Sequence, residues 1–138
     1  MVGAIIVTHG GLARELLEAM ERIVGPSEGI RAVSIDWDDE VSDARSEIEA
    51  AIRSVLDDGR VLVFTDMFGG TPTNVSLSFL EEDHVEIITG VNLPMLIKLS
   101  SLQGSEESLG EIARQVRERG QKSVYVASEV LSSQTRSG

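Results

Sequence analysis

An open α/β fold, a mainly parallel sheet with helices on both faces, is what this sequence predicts, and three observations predict it. Short continuous runs of Val, Ile and Leu alternate with longer stretches whose apolar residues recur at helical spacing. Glycines close several of these segments, and the order along the chain is strand then helix, repeated. Strands buried on both faces read as unbroken apolar runs, and regular strand–helix alternation implies right-handed βαβ units.

The elements follow in order. Val2 to Thr8 is a buried strand that stops at His9-Gly10-Gly11. Leu12, Leu16, Leu17, Met20, Ile23 and Val24 form the apolar face of a helix ended by Gly25-Pro26. Ala32 to Ile35 is a second strand, and Val41 to Leu56 a second helix that closes at Gly59, with Asp38 or Asp39 as its cap. Val61 to Thr65 is a third strand, Asp66 to Asn74 a glycine-bearing loop, and Val75 to Leu80 a short helix. His84 to Thr89 is a fourth strand, and Asn92-Leu93-Pro94 opens another helix, since proline suits a first turn. Leu109, Ile112, Ala113 and Val116 mark an amphipathic helix that ends at Gly120. Ser123 to Ala127 is expected as a last strand, antiparallel, whose edge would be left open in a monomer. Residues 1–128 are read as one domain and 129–138 as a polar tail, whose final stretch from Ser132 to Gly138 is expected to be a disordered end or the stub of a linker.

Length and charge narrow the function. A chain of 138 residues buries about 68–70% of its extended surface on folding, enough for a core without disulfides or metal. The net charge of −11 argues against nucleic acid and anionic membrane and favours a basic protein partner. No cysteine is present, so thiol chemistry and thiolate zinc are excluded. The first basic residue is Arg14, and the run before it is too short for an export signal. The longest charge-free run, Met67 to Leu80, has 14 residues, short of a bilayer span. Cytosol is the expected compartment.

In an open parallel sheet, ligands bind outside the carboxyl ends of the strands. His9 ends the first strand and Asp66 follows the third, so neighbouring strands would bring them to one crevice. A carboxylate that accepts from one imidazole nitrogen fixes the tautomer and leaves the other nitrogen nucleophilic. His9 is thus a candidate phosphoryl acceptor. Gly69 and Gly70 allow close backbone approach, and Thr71 adds a hydroxyl at the start of a helix, an arrangement suited to anions. The side chains of Met67 and Phe68 are read as packing, and His84 as a surface residue. No GxxxxGK[ST] is present, nor GxGxxG after the first strand, so these nucleotide sites are absent. A receiver domain would need acidic residues where Thr8-His9-Gly10 stands, and a histidine phosphatase of the phosphoglycerate mutase type would need Arg in place of Thr8. Neither a metal nor a cofactor is expected.

Three motifs, taken together and in this order, resemble the IIA component of the mannose family of the bacterial sugar phosphotransferase system. They are Val7-Thr8-His9-Gly10, Thr65 to Asn74 (TDMFGGTPTN), and Gly90 to Leu96 (GVNLPML). The resemblance runs from Met1 to about Ala127. It implies a phosphohistidine intermediate: His9 takes a phosphoryl group from the phosphocarrier protein HPr and hands it to a IIB component. It implies that Asp66 orients His9, and that Gly10, Thr71 and the amides around Met67, Gly69 and Gly70 hold the phosphoryl oxygens. It implies, too, that the sugar meets IIB and the membrane components IIC and IID, never IIA, and that the chain forms a homodimer in which the last strand is exchanged between the two copies. The acidic loop Asp36-Trp37-Asp38-Asp39-Glu40 replaces a Pro-Gly turn of many relatives. Two alternatives stand beside this reading: a regulatory phosphoprotein module uncoupled from transport, and the phosphotransfer subunit of a dihydroxyacetone kinase.

Overall fold

The structure, a computed structural model, describes residues 1–137. Four strands, β1 (Gly3–His9), β2 (Ile30–Ile35), β3 (Val61–Thr65) and β4 (Val85–Ile88), form one sheet in the order β2-β1-β3-β4, every pairing parallel. Among the described residues six helices accompany them: α1 (Leu12–Val24), α2 (Val41–Ser54), α3 (Thr71–Ser76), α4 (Leu93–Leu102), α5 (Leu109–Lys122) and α6 (Ala127–Ser137). A 3-10 turn, Leu77–Phe79, extends α3.

The unbroken apolar run of β1 is explained by two cores, one on each face of the sheet. Val2, Ala4 and Ile6 pack with Met20 of α1, Leu96 and Leu99 of α4, and Ile112 and Val116 of α5. Ile5 and Val7 point the other way, toward Ala44, Ile48 and Ile52 of α2 and Val75 of α3. Successive side chains of a strand face opposite sides, so both sets must be apolar. Each fully buried aliphatic side chain contributes about 1.5–3 kcal/mol. Gln103, at the end of α4, fastens this helix to the sheet: its side-chain N–H donates to the carbonyls of Val2 and Glu28, and its own carbonyl accepts from the Val2 amide.

Four expectations are corrected. The segment Ser123 to Ala127 is not a strand, and among the described residues no antiparallel strand joins the sheet. A strand exists only against a partner, and α5 runs to Lys122 before residues 124–126 pass, unpaired, straight into α6. The chain beyond is helical to Ser137 rather than irregular, and Gly138 lies outside the described residues. Helix α3 starts at Thr71, with Pro72 in its first turn, earlier than the expected Val75. Neither Asp38 nor Asp39 caps α2, whose N-cap is Glu40 without a side-chain bond; the Asp39 carboxylate instead accepts the backbone N–H of Asp36. Among the described residues no helix is long and apolar enough to cross a membrane.

The sheet and α2 meet so closely at Gly3 that a Cβ there would lie 2.1 Å from the backbone carbonyl oxygen of Val55. Backbone cannot swing aside as a flexible side chain can. Gly3→Ala should therefore lower stability by about 1–3 kcal/mol, the usual cost of overpacking. Gly110→Ala, in α5 with nothing nearer than the Ser108 hydroxyl at 4.0 Å, should instead be neutral or raise it by up to about 1 kcal/mol. Urea midpoints of the two variants check the opposite signs.

Candidate functional site

Strand β1 leads through α1 to β2 on one side, and the chain later returns to place β3 on its other side. The carboxyl ends of β1 and β3 thus flank the topological switch point, where such sheets hold their ligands. His9 is the last residue of β1, and Asp66 immediately follows β3.

The two side chains meet there. Asp66 Oδ2 accepts from the His9 backbone N–H at 3.0 Å and lies 2.8 Å from Nδ1, while Oδ1 accepts the Met67 N–H at 3.0 Å. Both side chains are mostly enclosed, 19% and 13% exposed. Burial acts to raise the Asp66 pKa, but the His9 backbone N–H, the His9 ring and its charge outweigh it and hold the carboxyl below its ordinary value. Asp66 is therefore ionised at neutral pH and can only accept, so Nδ1 carries the proton of this contact, and in the neutral form of the imidazole Nε2 holds the lone pair.

The loop after β3 shapes the space around Nε2. A Cβ on Gly70 would stand 3.2 Å from Nε2 and 3.1 Å from Cε1, and the backbone there has φ +82°. Glycine alone meets both demands without strain. The buried Thr73 hydroxyl donates to the Met67 carbonyl and shares a 2.7 Å hydrogen bond with the buried Thr65 hydroxyl, pinning the loop to the end of β3. Across the crevice, buried Thr8 accepts the Ala13 N–H at 2.8 Å and fixes the start of α1.

The residues singled out from the sequence do not all behave alike. His9, Asp66 and Gly70 come together as expected. The Gly10 N–H is taken by the Ile35 carbonyl, and the Met67 N–H by Asp66. Gly69, Gly70 and Thr71 donate no backbone N–H to a protein acceptor among the described residues. Met67 and Phe68 do not pack in the core: they are 54% and 74% exposed on the rim. His84 is exposed at the opposite, amino-terminal end of the strands, its Nδ1 against the Gly59 carbonyl. Among the described residues no cluster of three or more His, Asp or Glu is placed to hold a metal. Sequence reasoning missed Thr8, Thr65 and Thr73, although two of them are polar residues closing apolar strands, and it missed Trp37, whose indole stacks on the His9 imidazole. A groove of about 800 Å³ lies elsewhere, along the free edge of β4, and includes neither His9 nor Asp66.

Comparison with known proteins gives relatives of this chain over most of its length. Residues 3–117 match the EIIA-man family, described as the PTS system fructose IIA component. The chain is 30% identical over 132 residues to the fructose-specific EIIA component of Bacillus subtilis, covering 95% of this chain and 90% of that protein. It is 27% identical to the mannose-specific EIIAB component of Escherichia coli, where it spans 38% of the longer protein. A crystal structure of the PTS IIA protein associated with the fucose utilization operon of Streptococcus pneumoniae superposes with a TM-score of 0.82 at 30% identity, covering 94% of this chain and 96% of that one.

The Asp66 carboxylate has a consequence for acid stability. Because its folded pKa lies below the unfolded value of about 3.9, its stabilisation is present above about pH 4 and is lost as pH falls through the folded value. Asp66→Asn should cost about 1–3 kcal/mol at pH 7, the worth of a hydrogen-bonded charge. The gap from wild type should narrow below pH 4. Urea midpoints at pH 7 and pH 3 check this; a constant gap would contradict the carboxylate's role.

Proposed function

The chain belongs to the EIIA-man family of phosphotransferase-system IIA components, and from that premise we propose that His9 accepts a phosphoryl group from phospho-HPr and passes it to a IIB component for carbohydrate uptake. One observation carries this reading: the 2.8 Å pair between His9 Nδ1 and Asp66 Oδ2 at the switch point of the sheet.

The step follows from that pair. The Nε2 lone pair attacks phosphorus, an N–P bond forms, and the bond from phosphorus to the donor breaks in line, its electron pair leaving with the donor. The Nδ1 proton stays on the imidazole, held toward Asp66, whose negative charge offsets the positive charge the ring gains as it attacks. Transfer to IIB is the same displacement in reverse sense, with His9 now the leaving group. In this reading the N–H groups of Gly69, Gly70 and Thr71, with the Thr71 hydroxyl, take the phosphoryl oxygens, as backbone donors stabilise charge that develops in a transition state. Gly10 and Met67 contribute by anchoring the loops through Ile35 and Asp66. Asp66 is an orienting group, not a phosphoryl acceptor. The net charge of −11 suits encounter with a basic donor surface. In this reading the protein is cytoplasmic and reaches the membrane only through IIC and IID.

A homodimer belongs to the same proposal. The outer edge of β4 pairs with no strand among the described residues, and the groove beside it is lined by Leu80, Ile87, Ala113, Arg117 and Val124. Val124, Tyr125 and Val126 are 76%, 71% and 60% exposed in the segment between α5 and α6. An open strand edge and an exposed alternating segment complement one another when a second copy supplies the segment. Light scattering at micromolar concentration should give twice the mass of one chain; the mass of a single chain would exclude this arrangement.

Labelling tests the acceptor. With enzyme I, HPr and phosphoenolpyruvate, the wild-type chain should gain one acid-labile phosphoryl group, read by mass. His9→Ala should abolish the gain while His84→Ala keeps it. Label that persists in His9→Ala would sink the assignment.

A further inference from the structure

We infer that Trp37 is a positioning residue that fixes the ring plane of His9 for transfer; the inference rests on the reading of His9 as phosphoryl acceptor. The indole and imidazole centroids are 4.8 Å apart with 18° between planes, a stacked pair. This contact is the more telling because Trp37 is otherwise 81% exposed, the most open of the large apolar side chains. An indole that packs in no core and yet lies flat on the reactive imidazole is held there by the backbone that presents it.

That backbone is fixed at both ends. His9 and Ile35 are register partners of β1 and β2, and the Gly10 N–H donates to the Ile35 carbonyl at 3.0 Å. Residues 36–39 then close a tight turn: the Asp39 N–H donates to the Asp36 carbonyl at 3.1 Å, and the Asp36 N–H to Asp39 Oδ2 at 2.9 Å. Trp37 occupies the second position of this turn, so its Cα is set by adjacent strands together with the His9 backbone. Tryptophan adds only two side-chain torsions, so ordering its large face costs little entropy.

The physical need is specific. A hydrogen bond from Nδ1 to Asp66 fixes one point of the imidazole and leaves the ring free to tilt about that point. The Nε2 lone pair lies in the ring plane, so tilt steers it directly off the line of displacement at phosphorus. A second ring laid on the imidazole face removes that freedom. Asp66 sets which nitrogen reacts, and Trp37 sets the plane in which it points.

The test uses the two histidines and the single tryptophan of the chain. In the wild type, the stacked indole shifts the His9 ring-proton resonances by its ring current. Trp37→Ala should move those resonances and leave the His84 signals in place. In transfer from phospho-HPr, Trp37→Ala should lower kcat roughly 2- to 10-fold, the span an aromatic pair is worth, with KM unchanged. Trp37→Phe, which keeps a ring in place, should restore most of the rate. A raised KM with unchanged kcat would assign Trp37 to donor docking and overturn the inference, as would unmoved His9 resonances in a chain that phospho-HPr labels normally. A wild-type chain that is never labelled would overturn the functional reading itself, and the transfer role of Trp37 with it.

Discussion

The carboxylate of Asp66 takes hydrogen bonds from the His9 backbone, from Met67 and, at 2.8 Å, from the His9 ring. The arrangement of the crevice depends on this shared acceptor. Through the His9 backbone it ties the end of β1 to the end of β3. Through Met67 it sets the first peptide of the loop that carries Gly69 and Gly70. Through the ring it fixes the tautomer, so that one nitrogen is occupied and the other is available. A group with these ties is held ionised against the cost of its burial, and a neutral replacement of the same shape reproduces none of the charge.

The fold makes this interaction possible by placing β1 and β3 side by side, with β2 on the far side of β1. The same order lets the loop after β2 reach His9 from the other flank, so the imidazole is approached by the ends of both neighbouring strands. The threonines at the strand ends serve this geometry. Thr8 and Thr65 are fully buried, and each binds the element that follows its strand, α1 through Ala13 and α3 through Thr73. Apolar residues at these positions would fill the same space and leave the loops unanchored.

Much of this was legible in the sequence, for identifiable reasons. Strands β1 and β3 read correctly because strands buried on both faces have no polar alternation to confuse with helix. His9 and Asp66 were found because they stand directly at strand ends, where position along the chain translates into position in space. Helix α3 was placed too late because Gly69, Gly70 and Pro72 read as loop, although proline belongs in a first turn. The alternation of Val124 and Val126 read as a strand, but pairing is a property of two segments and a single chain supplies only one. The Trp37 stack had no local signal at all, since it arises from the register of β1 on β2. Met67 and Phe68 were misjudged because apolarity alone does not distinguish a core residue from a rim beside a site.

In the proposed transfer Asp66 occupies Nδ1 and leaves Nε2 to carry phosphorus. The most direct measurement is a nitrogen–phosphorus correlation by NMR on the ¹⁵N-labelled, phosphorylated protein, which reports the ring nitrogen bonded to phosphorus. Coupling of phosphorus to Nε2 of His9 is the predicted result. Coupling to Nδ1 of His9, or to either nitrogen of His84, would contradict it.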